Sequence, residues 1–269
     1  MNVPIEIFML AASKLDAGGV DAWLKSMGVV GDGGLGDGTD AEKIVALAAK
    51  QCYMSFEPGL NPNVTKVRTD LVAYLDNILA SGHGSVLEHV SFTFAINGVS
   101  RVFTGEMNRH RAGWAISERS GRFIRFGDGI PWWLPTSLQD APDDSPEILE
   151  KKAKTRQLMG EAFSHQAAVY KELVNLWDMD TPGMSFGIKK RITSCLRRII
   201  GMGYAGGGVW TGNIRALRHV ITMRASEAAE EEIYHVFSRI AALMVSTEPM
   251  LFGDFECVNG YWSPRYTKV

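Results

Sequence analysis

Apolar and polar positions alternate with the two-residue period of a half-buried strand most strictly at Val90, Phe92, Phe94 and Ile96, interleaved with Ser91, Thr93 and Ala95. Residues 3–11 predict another strand, and residues 122–126 a third. Elsewhere the period is helical. Thr39 and Glu42 are spaced as a capping box ahead of Ile44, Val45, Leu47 and Ala48, which predicts a helix to about Tyr53. After a turn at 58–62, the spacing of Val64, Val67, Leu71, Leu75 and Ile78 predicts a helix ending near Gly82. Ser100, Val102, Phe103 and Met107 mark a third helix, whose end carries Glu106, Arg109 and His110. Ser145, Pro146 and Glu147 supply an N-cap, a proline at the first helical position and an acid in the first turn, so a long helix should run to about Trp177. Further helices are predicted around Ile192, Leu196 and Ile199, and after Asn213. The last opens at the acidic run 227–232, where negative charge suits the helix dipole, and turns Ile233, Val236, Phe237, Ile240 and Met244 inward.

The connections are equally legible. Residues 28–38 are glycine-rich and predict a loop; 140–145 form an acidic linker; 130–135, with Trp132 and Trp133, predict a packed loop; and glycines break the chain over 201–208. A length of 269 residues with 46% hydrophobic content suffices for one large core, giving a single domain over residues 1–269. The formal charge of -2 excludes a protein that coats nucleic acid through a broad cationic excess. Cys52, Cys195 and Cys257 are odd in number and lack CxxC spacing, which argues against a disulfide framework or a zinc site and for a reducing, cytoplasmic setting. The amino-terminal apolar run lacks a basic flank and reads as a strand rather than a signal peptide, and no segment approaches the ~20 apolar residues of a membrane helix.

Charge changes the picture at one place. Arg109, His110 and Arg111, then Glu118, Arg119, Ser120, Gly121 and Arg122, crowd four arginines, a histidine and a carboxylate into a short stretch. Clustered guanidinium forks predict an anionic ligand such as phosphate; the competing reading is a solvated charged loop. Lys189, Lys190, Arg191, Arg197 and Arg198 form a second basic cluster, open to the same two readings. His83, Glu88 and His89 invite a metal, but a six-residue gap separates the histidines by some 240° on a helix, unlike the four-residue gap of a zinc helix. Arg215 and His219, four apart, share a helix face.

These pieces together resemble the flavin-dependent thymidylate synthase (ThyX) family. The residues carrying the likeness are RHRAGWAISERSGRF, the HGSVLEH segment before the alternating strand, the basic segment near Arg197, and NIRALRHVITMRASEAAEEE, spanning roughly residues 41–244. The resemblance implies an α/β (α+β) fold, an antiparallel sheet flanked by long helices, and a homotetramer with sites shared between subunits. It also implies transfer of a one-carbon unit from methylenetetrahydrofolate to C5 of dUMP, with FAD reduced by NADPH. Carried over by position, Ser85, Arg109, His110, Arg111, Glu118, Asn213, Arg215 and His219 would contact FAD. Glu106, Arg109, Glu118, Ser120, Gly121, Arg122, Arg197 and Arg224 would surround the nucleotide, with Arg224 the catalytic group. Four departures stand out: an eight-residue spacer before Ser120, Ser117 in place of an asparagine, Glu106 in place of a frequent glutamine, and Ala229-Glu230-Glu231-Glu232 in place of Ala-Gln-x-Glu. A one-residue register ambiguity leaves either Arg197 or Arg198 as the phosphate ligand. Glu106 and Ser117 motivate an alternative acceptor, UMP, or a hydroxymethyl product. A non-catalytic nucleotide- or RNA-binding module is the reading from another class.

Overall fold

The computed structural model describes residues 1–56, 59–64, 66–126, 129–179 and 182–269. In chain order the elements are β1 (Glu6–Ala12), α1 (Ala17–Ser26), α2 (Asp40–Tyr53), α3 (Leu71–Ala80), a 3-10 turn (Gly84–His89), β2 (Ser91–Asn97), α4 (Arg101–Met107) and β3 (Trp114–Glu118). There follow α5 (Pro146–Leu176), α6 (Phe186–Leu196), β4 (Gly207–Asn213), α7 (Ile214–Arg224), α8 (Glu231–Thr247), α9 (Pro249–Phe252) and the hairpin β5 (Phe255–Val258) and β6 (Tyr261–Pro264). The main sheet has the order β1-β2-β4-β3. Bonds at the strand ends make each pairing antiparallel: Ser13 N donates to Ser91 O (3.1 Å), Ile214 N to Val90 O (3.0 Å), Gly98 N to Gly206 O (3.0 Å), Asn213 N to Gly113 O (3.1 Å) and Arg119 N to Gly207 O (2.8 Å). The antiparallel sheet with flanking helices is therefore as expected.

The chain divides into two compact units. One comprises Met1–Ile7, Ala95–Arg109 and Ile116–Val209, and its core gathers Phe126, Ile130, Tyr170, Val174, Met179, Ile192, Leu196 and Tyr204. Phe126 is wedged edge-on against Tyr170 and Tyr204, at ring distances of 5.3 and 4.7 Å. The other comprises Phe8–Phe94, His110–Ala115 and Trp210–Val269. Its core includes α2, α3, α7 and α8, with Val45, Leu75, Leu217, Val236 and Phe237 removed from water.

Local chemistry accounts for most boundaries. The capping box before α2 is complete, with Thr39 Oγ1 accepting from Glu42 N and Glu42 Oε2 from Thr39 N. Ser145 caps α5 and Asn213 caps α7, as predicted. Three expectations are corrected. The helix predicted from Val64 begins only at Leu71, because Asp70 caps it and the buried Lys50 ammonium takes the Arg68 carbonyl at 3.1 Å, while Val64 N closes a local turn on Asn61 O. The turn predicted at 58–62 begins at a residue outside those described. Residues 122–126 are not a strand: Phe123 N bonds Ser120 O, and that turn sends Phe126 into the core. The break predicted over 201–208 gives way at Gly207 to a central strand.

The loop over 28–38 is organised by Asp32, whose carboxylate accepts from Gly34 N and Gly36 N at 2.8 and 3.1 Å; the Gly34 amide, ahead of the others, holds that carboxyl below its usual range. Near the other side of α2, Thr39 Oγ1 hydrogen-bonds the buried Glu248 carboxylate, and Glu42 Oε1 accepts from Met250 N at 2.8 Å. Burial pushes Glu248 above the usual carboxylate range, helped by the Glu42 and Asp40 charges and opposed by Thr39. A carboxyl raised in the folded state binds its proton more tightly there than in the unfolded chain. Its contribution to stability is therefore present in acid and is lost as pH rises through the folded value. Glu248→Gln should raise the urea midpoint at neutral pH, with the gap to wild type closing as Glu248 becomes protonated; a gap that widens in acid would contradict the assignment.

Candidate active site

In the first unit, Ser100 caps α4, which places Arg101 at its first turn and Glu106 at its last. Glu118, at the end of β3, accepts from Arg101 Nη1 and from Asn108 Nδ2, the latter at 3.2 Å. Arg109 Nη1 bonds Glu106 Oε1 at 3.0 Å. The same unit holds a cavity of about 370 Å³ lined by Arg101, Gly121, Arg197, Arg198 and Tyr204, with Phe126, Ile200 and Gly201 as its apolar and backbone walls. Three guanidinium groups and a phenol converge there. Burial pushes the Tyr204 phenol up, against the opposing Arg119 and Arg101 charges, so it stays protonated near neutrality and can donate. Arg198 Nη1 is tied to its own helix at Ser194 O, 2.8 Å away, whereas Arg197 makes no side-chain hydrogen bond or ion pair among the described residues. Gly121 lies against the Arg197 stem, where an added Cβ would sit 3.6 Å from Cδ.

The second unit holds the other set. Arg224, at the end of α7, donates Nε–H to His110 Nε2 at 2.8 Å, and the His110 and His219 rings meet edge to face at 6.0 Å. That hydrogen bond requires an unprotonated Nε2, so His110 meets Arg224 as an acceptor. A second cavity, of about 440 Å³, is lined by Glu88, Gly113, Asn213, Arg215 and His219 together with Thr267 and Lys268. Arg215 Nη1 pairs with Glu88 Oε1 at 2.6 Å. Gly113 has φ of 75° and lies so close to Asn213 that a Cβ would come within 2.7 Å of its side chain; only glycine fits both demands. The cationic Arg215 and Lys268 beside the cavity suit phosphate groups, and Glu88 can accept from ribose hydroxyls, so the donor set fits a dinucleotide.

The structure thus brings together Glu106 with Arg109, Gly121 with Arg197, His110 with His219 and Arg224, and Asn213 with Arg215. Ser120 Oγ accepts from Arg122 N at 3.4 Å. Ser85, Arg111 and Arg122 are exposed and join neither cavity. Arg101 and Tyr204 were missed from sequence. Arg101 did carry a signal: a cation in the first turn of a helix opposes the dipole and calls for a compensating partner, here Glu118.

One cavity lined by three guanidinium groups, and a second lined by Arg215 and Lys268, make this mixed α/β chain a candidate for phosphate-bearing ligands. The family model described as thymidylate synthase complementing protein, Thy1, matches residues 35–250, and the chain belongs to that family. Among its relatives, the flavin-dependent thymidylate synthase of Corynebacterium efficiens is 32% identical over 222 residues, covering 82% of either chain. That of Mycolicibacterium vanbaalenii is 34% identical over 229 residues, covering 82% of this chain and 83% of the relative. Two solved structures share the fold. The UMP/dUMP methylase PolB from Streptomyces cacaoi, bound with 5-Br UMP, superposes with a TM-score of 0.63 at 15% identity, covering 93% of this chain and 92% of that one. Thymidylate Synthase X from Helicobacter pylori, with FAD and dUMP, gives 0.54 at 17%, covering 93% and 98%. The resemblance read from the arginine-rich stretch is borne out. Among the described residues, no helix is long and apolar enough to cross a membrane.

Proposed function

We propose that this chain transfers a one-carbon unit from methylenetetrahydrofolate to C5 of a uridine monophosphate, dUMP to dTMP most simply, using FAD reduced by NADPH. The observation that carries the reading is the cavity in which Arg101, Arg197, Arg198 and Tyr204 converge, in a member of the Thy1 family. Arg197, uncommitted and facing that cavity, takes the nucleotide phosphate, with Tyr204 donating beside it. Glu118 fixes the Arg101 fork, and Ser120 serves as a binding hydroxyl rather than a nucleophile, since among the described residues no base is bonded to it. Asn213, Arg215 and His219, with Glu88, hold the phosphate and ribose portion of FAD. When bound, the flavin supplies the two-electron reduction that turns a transferred methylene into a methyl group.

Arg224 acts on the uracil, where its charge stabilises the anion formed as N3 ionises and so makes C5 more nucleophilic. His110 accepts the Arg224 Nε–H and fixes the plane of the guanidinium. With sites shared between subunits of a homotetramer, the nucleotide and flavin residues need not come from one copy of the chain. Apolar side chains left exposed, among them Phe8, Leu10, Leu158 and Leu176, support such an assembly. Three exposed, unpaired cysteines support a cytoplasmic setting.

One observation favours a second acceptor. Glu106 is a carboxylate held by Arg109, and a carboxylate oxygen beside the sugar accepts from a 2′-hydroxyl. Incubation with methylenetetrahydrofolate, NADPH and either dUMP or UMP, followed by product mass, decides between the two; no mass gain on either pyrimidine would remove the proposed reaction. Arg197→Ala should raise KM for the nucleotide roughly 10- to 100-fold, the loss of a charge-assisted phosphate contact, with kcat moving less. Arg198→Ala should move KM little, because that guanidinium already spends itself on Ser194 O. Steady-state kinetics of the two variants would reverse the assignment if Arg198→Ala proved the more damaging.

A further inference from the structure

Beyond the β5–β6 hairpin the chain is bound down by a chain of specific contacts. Arg265 N donates to Asp254 O at 2.9 Å, and Tyr266 N donates to Asp254 Oδ2 at 3.2 Å. Arg218 Nη2 donates to Tyr266 O at 3.3 Å, and the Tyr266 hydroxyl donates to Asp76 Oδ1 at 2.7 Å. The anchor beneath is the buried pair in which Arg218 Nη1 and Nη2 reach Asp254 Oδ1 and Oδ2 at 2.6 and 2.8 Å. Past this anchor, the backbone of Lys268 runs along Gly82, where φ is 73° and a Cβ would lie 3.5 Å from Lys268 O. Residues 267–269 then line the cavity of Glu88, Asn213, Arg215 and His219. Helix α7 serves both ends of the arrangement: Arg218 faces inward to the anchor, while Arg215 and His219, three residues before and one after it, face the cavity.

Charge identifies what the segment adds. Arg215 is matched by Glu88 at 2.6 Å. Lys268 makes no ion pair or hydrogen bond among the described residues, so it is the cation lining this cavity whose charge is left unmatched. The segment lies outside the family match, which ends at residue 250.

We propose that residues 267–269 form a strap that completes the cofactor cavity, and that the Lys268 ammonium binds an oxygen of the adenosine-side phosphate of the dinucleotide, the phosphate that FMN lacks. The inference rests on the reading of this cavity as the place of the adenosine and phosphate portion of FAD. Lys268 is a binding residue, and Tyr266 is a positioning residue that acts through the strap.

The test is flavin titration of the full-length, flavin-stripped protein, followed by fluorescence quenching, with FAD and with FMN, which lacks the adenosine half. Lys268→Gln should weaken FAD roughly tenfold and flatten the salt dependence of its binding, leave FMN unchanged, and be restored by Lys268→Arg. Tyr266→Phe, which loosens the tether to Asp76, should speed FAD release at unchanged Tm. If wild type binds FAD and Lys268→Gln binds it equally well, or if FAD and FMN weaken in parallel, the strap has no such role and the flavin reading stands. If wild type binds no FAD under any condition, both fall.

Discussion

Replacing Arg224 with alanine is expected to cut kcat by about 10²- to 10³-fold, the usual cost of deleting one preorganised donor aimed at developing negative charge. The flavin should stay bound, because Arg215, His219 and Asn213 are untouched. Arg224→Lys should recover only part of the loss. It restores a positive charge, yet it offers no flat fork and no Nε–H to lie against His110 Nε2 at 2.8 Å, so the charge would not be held in one plane. Single-turnover measurement at saturating nucleotide isolates the chemical step from binding. A variant whose single-turnover rate matched wild type would remove the electrostatic role assigned to Arg224.

The second large effect is on stability. Arg218 is 2% exposed and Asp254 7%, and their bidentate contact is surrounded by the Phe252 and Phe255 rings, at 5.9 and 4.8 Å from the guanidinium carbon. Arg218→Ala leaves the Asp254 carboxylate in that apolar setting without its partner and should cost about 3–5 kcal/mol of unfolding free energy. The Arg218→Met, Asp254→Leu double variant removes both charges and should recover most of it, since replacing a whole buried pair by apolar groups is often near neutral. Urea unfolding of the singles and the double gives the coupling directly; an Arg218→Ala loss under about 1 kcal/mol would mean that water reaches the pair.

Much of the fold was legible because short-range chemistry decides it. Thr39 with Glu42, Ser145 with Pro146, and Asn213 each announce a helix start through a backbone N–H that needs an acceptor. β2 announces itself because one face is buried and the other is not. The misses are places where a distant partner overrules the local pattern. Val64 and Val67 keep helical spacing, but Lys50 claims the Arg68 carbonyl and Asp70 restarts the helix. β3 and β4 were hidden by glycine and by mixed polarity. Gly212 permits Trp114 to lie across β4, where a Cβ would come within 2.8 Å of the ring, a demand that no window of sequence reveals. α1 was masked by the paired glycines at 18 and 19, yet Asp16 caps it.

The site divides in the same way. Arg109, Glu118 and the Arg197–Arg198 pair were legible as clustered charge and Arg215 by its spacing from His219, while a role for Arg224 came only from the family resemblance; the partners that orient these groups lie elsewhere in the sequence: Arg101 for Glu118, His110 for Arg224, Glu88 for Arg215. Tyr204 offered no local cue, because its place in the arginine-lined cavity depends on the packing of Phe126.

β1 stands at one margin of its sheet, with Phe8 and Leu10 at least half open to water. A single copy of the chain would therefore offer strange chains a ladder of amides and carbonyls beside a greasy face, the combination that seeds edge-to-edge clumping. Storage of the purified material should show turbidity before loss of helix signal, and a lysine in place of Phe8 should suppress that clouding.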